Sequence, residues 1–401
     1  MATATLASPD VQTLDRRGIG LLSLAHVFND ANQSALPAII PWLIAHRGLS
    51  LTASATLVLA MNLSSSVVQP LFGHLSDRRS LAPVIPASLF LATLGTAMIG
   101  FAPSMTLMLV GALVSGIGVA GFHPESSRFA NYFAGSQRAT GMSWFTTGGY
   151  LGFAIGPIVI TPLLLAFGLH GTAFLLIPGT ILALLVVRDL PRFAEARARA
   201  HHAHRHRSGT DDWRGFSIMS AVVALRSTVF FAAVTFMPIF AITVTHVDKA
   251  VAAVALAAML LAGAMGTLYG GRLADRVDRR RVVFISLVFT ALFGAAIVAL
   301  GRFFPEFGLL VPLAIAFGFS IGLSAGVIVV MGQEYLPQRI GIAAGMTLGL
   351  SVTIGGLAAP LFGAIGDHYG LVPVFGAATL FAIAALGTST IMPTPPHLKR
   401  A

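Results

Sequence analysis

His26, Asn29, Asp30 and Gln33 recur at i, i+3, i+4 and i+7, the spacing that puts all four on one face of a helix. The residues around them are mostly apolar, so the face is a polar stripe on an apolar rod. A carboxylate and an imidazole side by side on such a stripe can take up and hand on a proton; the competing reading is a neutral hydrogen-bond cluster between helices. Asn29 and Gln33 on the same stripe are candidates for contacting a polar guest. Further along, Gly121-Phe-His-Pro-Glu-Ser-Ser-Arg128 concentrates costly side chains in a chain of which only 10% is charged. His123 and Glu125 join His26 and Asp30 as proton-coupling candidates, while Glu125 and Arg128, three residues apart, can pair along one face. Arg226 sits in an apolar segment with no acid of its own and so calls for an anionic partner: Asp30, Glu125 or an anionic substrate. A guanidinium matches a phosphonate through paired, charge-assisted bonds. Thr147 and Tyr150, with Trp144 and Thr146 nearby, are the remaining candidates for lining a binding site, as is Arg128.

The elements that must position these residues follow from hydropathy. The chain is 56% hydrophobic with a mean hydropathy of +0.83, far above a soluble domain. A helix needs about 20 residues to cross a bilayer. That window marks residues 18–45, 51–73, 82–101, 105–133, 139–166, 170–188, 215–244, 249–271, 281–300, 307–335, 340–366 and 371–392. The segments 105–133 and 307–335 run long and must tilt or protrude. The first apolar run is read as a transmembrane helix rather than a cleaved signal. Asp30 then lies about 12 residues, roughly 18 Å, into its helix, near mid-bilayer, and Arg226 is about one turn away in depth. Glu125, about 30 Å from the start of its helix, falls toward the far mouth.

The formal charge of +10 does not point to nucleic acid, because the arginines cluster in short loops between apolar runs. Arg16, Arg17, Arg78, Arg79, Arg138, Arg272, Arg276, Arg279, Arg280, Arg281, Arg339, Lys399 and Arg400 fall on one side, against Arg47, Lys249 and Arg302 on the other. Both termini are therefore expected on the cytoplasmic side. Residues 189–213 form the one sizeable polar linker, with His201, His202, His204 and His206 among its arginines. A histidine tract can bind metal, but with no carboxylate or second cluster completing a ligand set it is read as a solvated linker. No cysteine is present, which excludes disulfides and thiol chemistry, and no metal or cofactor is expected.

The chain also repeats itself. Gly73-His-Leu-Ser-Asp77-Arg78-Arg79 is echoed by Gly271-Arg-Leu-Ala-Asp275-Arg276, Arg138–Met142 by Arg339–Met346, and Pro157 by Pro360, all offset by about 200 residues. Two six-helix halves, residues 1–188 and 214–401, follow, with a site between them at mid-depth. The acid Glu334, followed by Arg339, mirrors Glu125 and Arg128 and suggests a role at the inner ends of both halves.

Two Gly-x-x-x-Asp-Arg loops at equivalent positions resemble the signature of the major facilitator superfamily, and the resemblance covers the whole chain. It implies an all-α membrane protein, twelve helices in two pseudo-symmetric halves, in which Gly73, Asp77, Arg78, Gly271, Asp275 and Arg276 tie the inner helix ends together as a gate. His26-Val-Phe-Asn-Asp30 with Pro37 and Pro41, and Phe122–Arg128, are similar to the fosmidomycin resistance protein family. That resemblance implies an inner-membrane efflux carrier exchanging a small molecule for protons. Gly152-x-x-x-Gly156-Pro157 is similar to the antiporter motif of drug–proton exchangers, where small residues allow close helix contact and a bend. The chain departs from that pattern in following Pro157 with Ile158-Val159-Ile160. It also has Gly111 and Ala112 where many exchangers carry an arginine before the Gly-x-Gly of the fourth helix, so Arg128 or Arg226 must substitute. The expected protein is thus a monomeric, bilayer-embedded carrier of a small anionic or amphiphilic compound and protons. An importer of a sugar or organic acid is the second reading. A membrane enzyme or receptor is the third, opposed by the lack of a metal cluster, nucleophile elbow or phosphate-cradling loop.

Overall fold

The computed structural model describes residues 13–49, 51–204 and 210–395. The expectations placed on the first twelve residues, on His206 and the arginines beside it, and on Lys399 and Arg400 lie outside them, as do the side chains of His201, His202 and His204. Thirteen α-helices are described: α1 (Arg16–Arg47), α2 (Leu51–Arg78), α3 (Val84–Phe101), α4 (Met105–Ala134), α5 (Arg138–Phe167), α6 (Leu176–His204), α7 (Trp213–Val244), α8 (Lys249–Ala274), α9 (Arg279–Phe303), α10 (Phe307–Gly322), α11 (Ala325–Tyr335), α12 (Ile340–Tyr369) and α13 (Leu371–Thr390). Because α10 and α11 are two pieces of one span, Phe307–Tyr335, the helices make twelve rods, and nine spans among the described residues are long and apolar enough to cross a membrane.

Local chemistry sets the ends. Asp15 caps α1 by accepting from the amides of Arg17 and Gly18, Ser104 caps α4 through Leu107, and Asp212 caps α7 through Gly215. Gly48, at φ 64°, closes α1 in a conformation that favours glycine. Leu59, Leu63, Val67 and Leu71, four residues apart on α2, stand more than half exposed as a stripe that lipid can cover.

Two elements depart from the hydropathy reading. The linker expected from Asp189 continues α6 to His204. Its sequence is amphipathic: Phe193, Ala196 and Ala200 are buried, with Phe193 packed on Phe129 and Phe133, while Glu195 and Arg199 pair on the outer face at 3.7 Å. The tenth rod is broken at Leu323–Ser324 rather than being one long tilted helix. Pro124 lies inside α4 and leaves that helix continuous.

The halves are α1–α6 and α7–α13. They meet chiefly where α2 packs on α12 and α5 on α8. Under the half-chain offset α2 corresponds to α8 and α12 to α5, so the two seams are copies of one contact. The pseudo-two-fold read from the repeats is therefore present in the packing.

Candidate functional site

The seams close at the end carrying the arginine-rich loops. Asp77, at the end of α2, accepts from the amides of Gly341 (2.7 Å) and Ile342 (3.0 Å) at the start of α12. Asp275, at the end of α8, accepts from Ala139 (3.0 Å) and Thr140 (2.8 Å) at the start of α5. Each carboxylate thus caps a helix of the opposite half, satisfying amides that have no partner inside their own helix. Gly73 lies against the backbone of Gly341, and Gly271 against Ala139 and Ser143, so any larger side chain would hold the ends apart. The arginines of the two repeats, expected to share in this tie, are instead exposed: neither Arg78 nor Arg276 reaches across. Arg128 and Arg279 take the inward role.

Arg128 donates to the hydroxyl of Tyr132 (2.7 Å) and to the carbonyl of Ser76, while Glu125 accepts from the Leu81 amide (2.9 Å) and from the Ser76 hydroxyl. The two are 3.9 Å apart and clamp α4 onto the end of α2. In the second half Glu334 pairs with Arg279 at 2.9 Å, and Arg279 also approaches Asp275 at 3.9 Å. Arg339, which follows Glu334 in sequence, pairs instead with Asp211. A contact that the sequence did not suggest joins the halves here: Asn131 of α4 donates to Gln333 of α11, whose amide donates to Ser127 at 3.1 Å. The type of each residue was visible in the sequence, but nothing there paired positions 202 residues apart.

Removing both interhelical caps, Asp77→Ala with Asp275→Ala, is expected to loosen this end by about 2 kcal/mol, a shift on the order of 30-fold toward open states. The chain has no cysteine, so a single Ser127→Cys reports on it. Labelling of that buried thiol should accelerate in the double variant. An unchanged rate would show that the carboxylates do not hold the seam.

Toward the middle of the bundle, two buried polar centres lie on either side of α5. The first joins α1 and α4. Asp30 is flanked by His26 Nε2 at 3.3 Å and His123 Nε2 at 3.2 Å, and the two Nε2 atoms are themselves 3.2 Å apart. His26 Nδ1 donates to the Phe145 carbonyl (2.7 Å) and His123 Nδ1 to the Val119 carbonyl (2.8 Å). A carbonyl can only accept, so each Nδ1 carries the hydrogen and, with neutral rings, each Nε2 presents a lone pair to the carboxylate. Three acceptors converge, and the cluster is balanced only with a cation, at the least one proton, among them. Asn29 donates to Asp30 at 3.1 Å, and His26 stacks on Phe145 at 4.2 Å. Gly148, Gly152 and Gly156 bring α5 onto the backbone of α1 at Ser23, Val27 and Ala31, and Gly149 faces His26 and Asp30 directly. The glycine row read as antiporter-like therefore presses α5 against the stripe, and α5 runs through Pro157 without a break.

The second centre is Arg226 on α7. Its Nε donates to Ser324 Oγ (3.0 Å), and its Nη2 to Tyr150 Oη (3.1 Å) and the Ile321 carbonyl (2.5 Å). The break in the tenth rod makes this possible. Carbonyls that a continuous helix would use are taken by side chains instead: Ser320 by Ser286, Ile321 by Arg226, Gly322 by Thr267. Gly318 and Gly322 sit against the backbone of Met259 and Gly263 on α8, the close approach that holds the broken segment in place. Neither Asp30 nor Glu125 pairs with Arg226; among the described residues no carboxylate lies within 4 Å of it, although it is only 8% exposed. Ser286, Thr267 and Ser324 escaped the sequence reading, their one signal being hydroxyl and glycine residues crowded into an apolar span.

The other candidates are dispersed. Gln33 turns to Asn62 on α2 (2.9 Å), Thr146 bonds its own helix, Trp144 is exposed, and Thr147 is buried with a hydroxyl that has no partner among the described residues. Arg128 belongs to the closed end and not to the centre occupied by Arg226.

A duplicated bundle of twelve helical rods, with polar groups buried around the seam between its halves, has the architecture of a multi-pass membrane carrier. The chain belongs to the Major Facilitator Superfamily, whose family model matches residues 22–360, and it is a transporter rather than an enzyme. It is 31% identical over 378 residues to an uncharacterised MFS-type transporter, YfnC, of Bacillus subtilis (strain 168), covering 91% of this chain and 89% of the relative. It is 27% identical over 383 residues to the fosmidomycin resistance protein of Escherichia coli (strain K12), covering 90% and 92%. Among solved structures it superposes on the transporter FucP in the outward conformation with a TM-score of 0.71 over 94% of this chain and 98% of that one, at 14% identity. That likeness is one of fold alone.

Proposed function

We propose that the protein is an inner-membrane exporter of a small anionic or amphiphilic compound, of the phosphonate type, driven by exchange for protons. The observation that carries this reading is Arg226: a buried guanidinium fixed by Tyr150, Ser324 and a main-chain carbonyl, with no carboxylate beside it. A buried cation without a counter-ion is costly, and an anionic guest at the seam relieves that cost. The 27% identity to a fosmidomycin resistance protein supports a phosphonate as cargo and export as direction. His26, Asp30 and His123, whose three converging acceptors call for a cation among them, are the groups through which the driving proton would pass, with Glu125 and Arg128 coupling to the gate. The two halves, joined through residues 189–213, rock about the site. The arginine-rich end, closed by Asp77 and Asp275, faces the cytoplasm together with both termini, so the geometry described corresponds to an outward-facing state.

Cells with and without the gene, challenged with fosmidomycin and a panel of organic anions, test this directly. Expression should raise tolerance and lower accumulation of at least one anionic compound, and a protonophore should abolish the difference. Accumulation that rises with expression would reverse the direction, and neutral sugars as the sole cargo would overturn the role of Arg226.

A further inference from the structure

We propose that His26, Asp30 and His123 form a binding site for one divalent transition-metal ion of the zinc class. The argument starts from spacing. The two Nε2 atoms are 3.2 Å apart, and they stand 3.3 and 3.2 Å from the oxygens of Asp30. A tetrahedral ion with bonds of about 2.0–2.1 Å places its ligand atoms about 3.3–3.4 Å from one another. The two nitrogens have that separation, and each stands that far from one carboxylate oxygen, His26 from Oδ2 and His123 from Oδ1, so an ion seats once the carboxylate turns to present one oxygen to both.

Orientation and supporting contacts agree. Each imidazole gives its Nδ1 hydrogen to a main-chain carbonyl, of Phe145 and of Val119, which turns the Nε2 lone pair inward; metal-bound histidines are usually held in this way. Asn29 donates to Asp30 and fixes the carboxylate. Two ligands, His26 and Asp30, are one helical turn apart on α1, the third comes from α4, and all three are buried, with His26 against Phe122 and Phe145 and His123 against Phe122. Two nitrogens and a carboxylate suit zinc, cobalt, nickel or copper; magnesium and calcium require shells of oxygen. Three protein ligands leave a fourth position open, as in zinc sites that exchange a ligand.

Ion and proton compete for the same lone pairs. A bound ion therefore halts proton-coupled flux, a consequence that rests on the proposed function, whereas the binding itself does not.

Purified protein stripped with chelator and titrated with Co2+ tests the site. One ion per chain should give the visible spectrum of a four-coordinate centre, and Zn2+ should displace it. His123→Gln and Asp30→Asn, which keep volume and polarity, should each weaken Co2+ binding by about 100-fold. A variant with His201, His202, His204 and His206 all replaced by alanine should bind as the parent does. Thermal denaturation in chelator checks that each variant is folded; should His123→Gln fail it, His26→Gln serves in its place. Absence of a four-coordinate spectrum in the parent, or its loss with the four tract histidines, would overturn the proposal. Flux measured in chelator speaks to the carrier reading separately.

Discussion

Arg226→Lys is expected to lower affinity for an anionic cargo by roughly 100-fold, about 3 kcal/mol, although the charge is kept. The guanidinium performs two tasks at once. Nε and Nη2 hold Ser324, Tyr150 and the freed carbonyl of Ile321, and Nη1 has no protein partner among the described residues. A planar fork can satisfy the helix break on one edge and offer a donor to a guest on the other. An ammonium has the same charge, but its donors converge on one atom, so bonding the carbonyl draws it away from the guest. Tyr150→Phe removes a single supporting bond and should cost about 1 kcal/mol, several-fold in affinity. Equilibrium binding of a phosphonate to detergent-solubilised protein measures both. Full affinity in the lysine variant would reduce Arg226 to a structural cation and leave the seam without an anion site.

The sequence disclosed the architecture well and the site unevenly, for a physical reason. Crossing a bilayer demands long apolar segments, and duplication stamps Gly73–Asp77 and Gly271–Asp275 at matching places, so rods, halves and seam were all readable. Partnerships across the seam were not. Arg226 was read as lying near Asp30 in depth, and the two do meet neighbouring residues of α5, Tyr150 and Gly149, but its partners depend on a break in the tenth rod. That break is made by glycines packing on another helix, a tertiary event with no strong local signal. His123 and Glu125, neighbours in sequence, were both read as proton-coupling candidates beside His26 and Asp30. On a helix two residues apart point to different sides, and α4 sends His123 to α1 and Glu125 to the end of α2. The octapeptide therefore serves two places, the buried triad and the closed end. Gly152 and Gly156 were legible as a contact face, while their partner, the stripe on α1, was not.

Asp30→Asn should abolish proton-driven exchange while leaving the fold and cargo exchange without a gradient in place. The amide keeps the volume of the carboxylate and can still bond the imidazoles, so α1, α4 and α5 pack as before. What disappears is the one negative charge among the three groups. A cation held between His26 and His123 would then lack its counter-ion in a buried site, a cost of several kcal/mol, and the occupied state becomes rarer by at least about 100-fold. Arg226 on the far side of α5 keeps its partners, so cargo binding should change little. Sealed vesicles in chelator separate the two outcomes: flux driven by an imposed pH gradient should be lost, and counterflow of labelled cargo should persist. Undiminished gradient-driven flux would remove Asp30 from the coupling path. Loss of both activities in a folded variant would show that the triad shapes the cargo site itself, and that the two sides of α5 act as one.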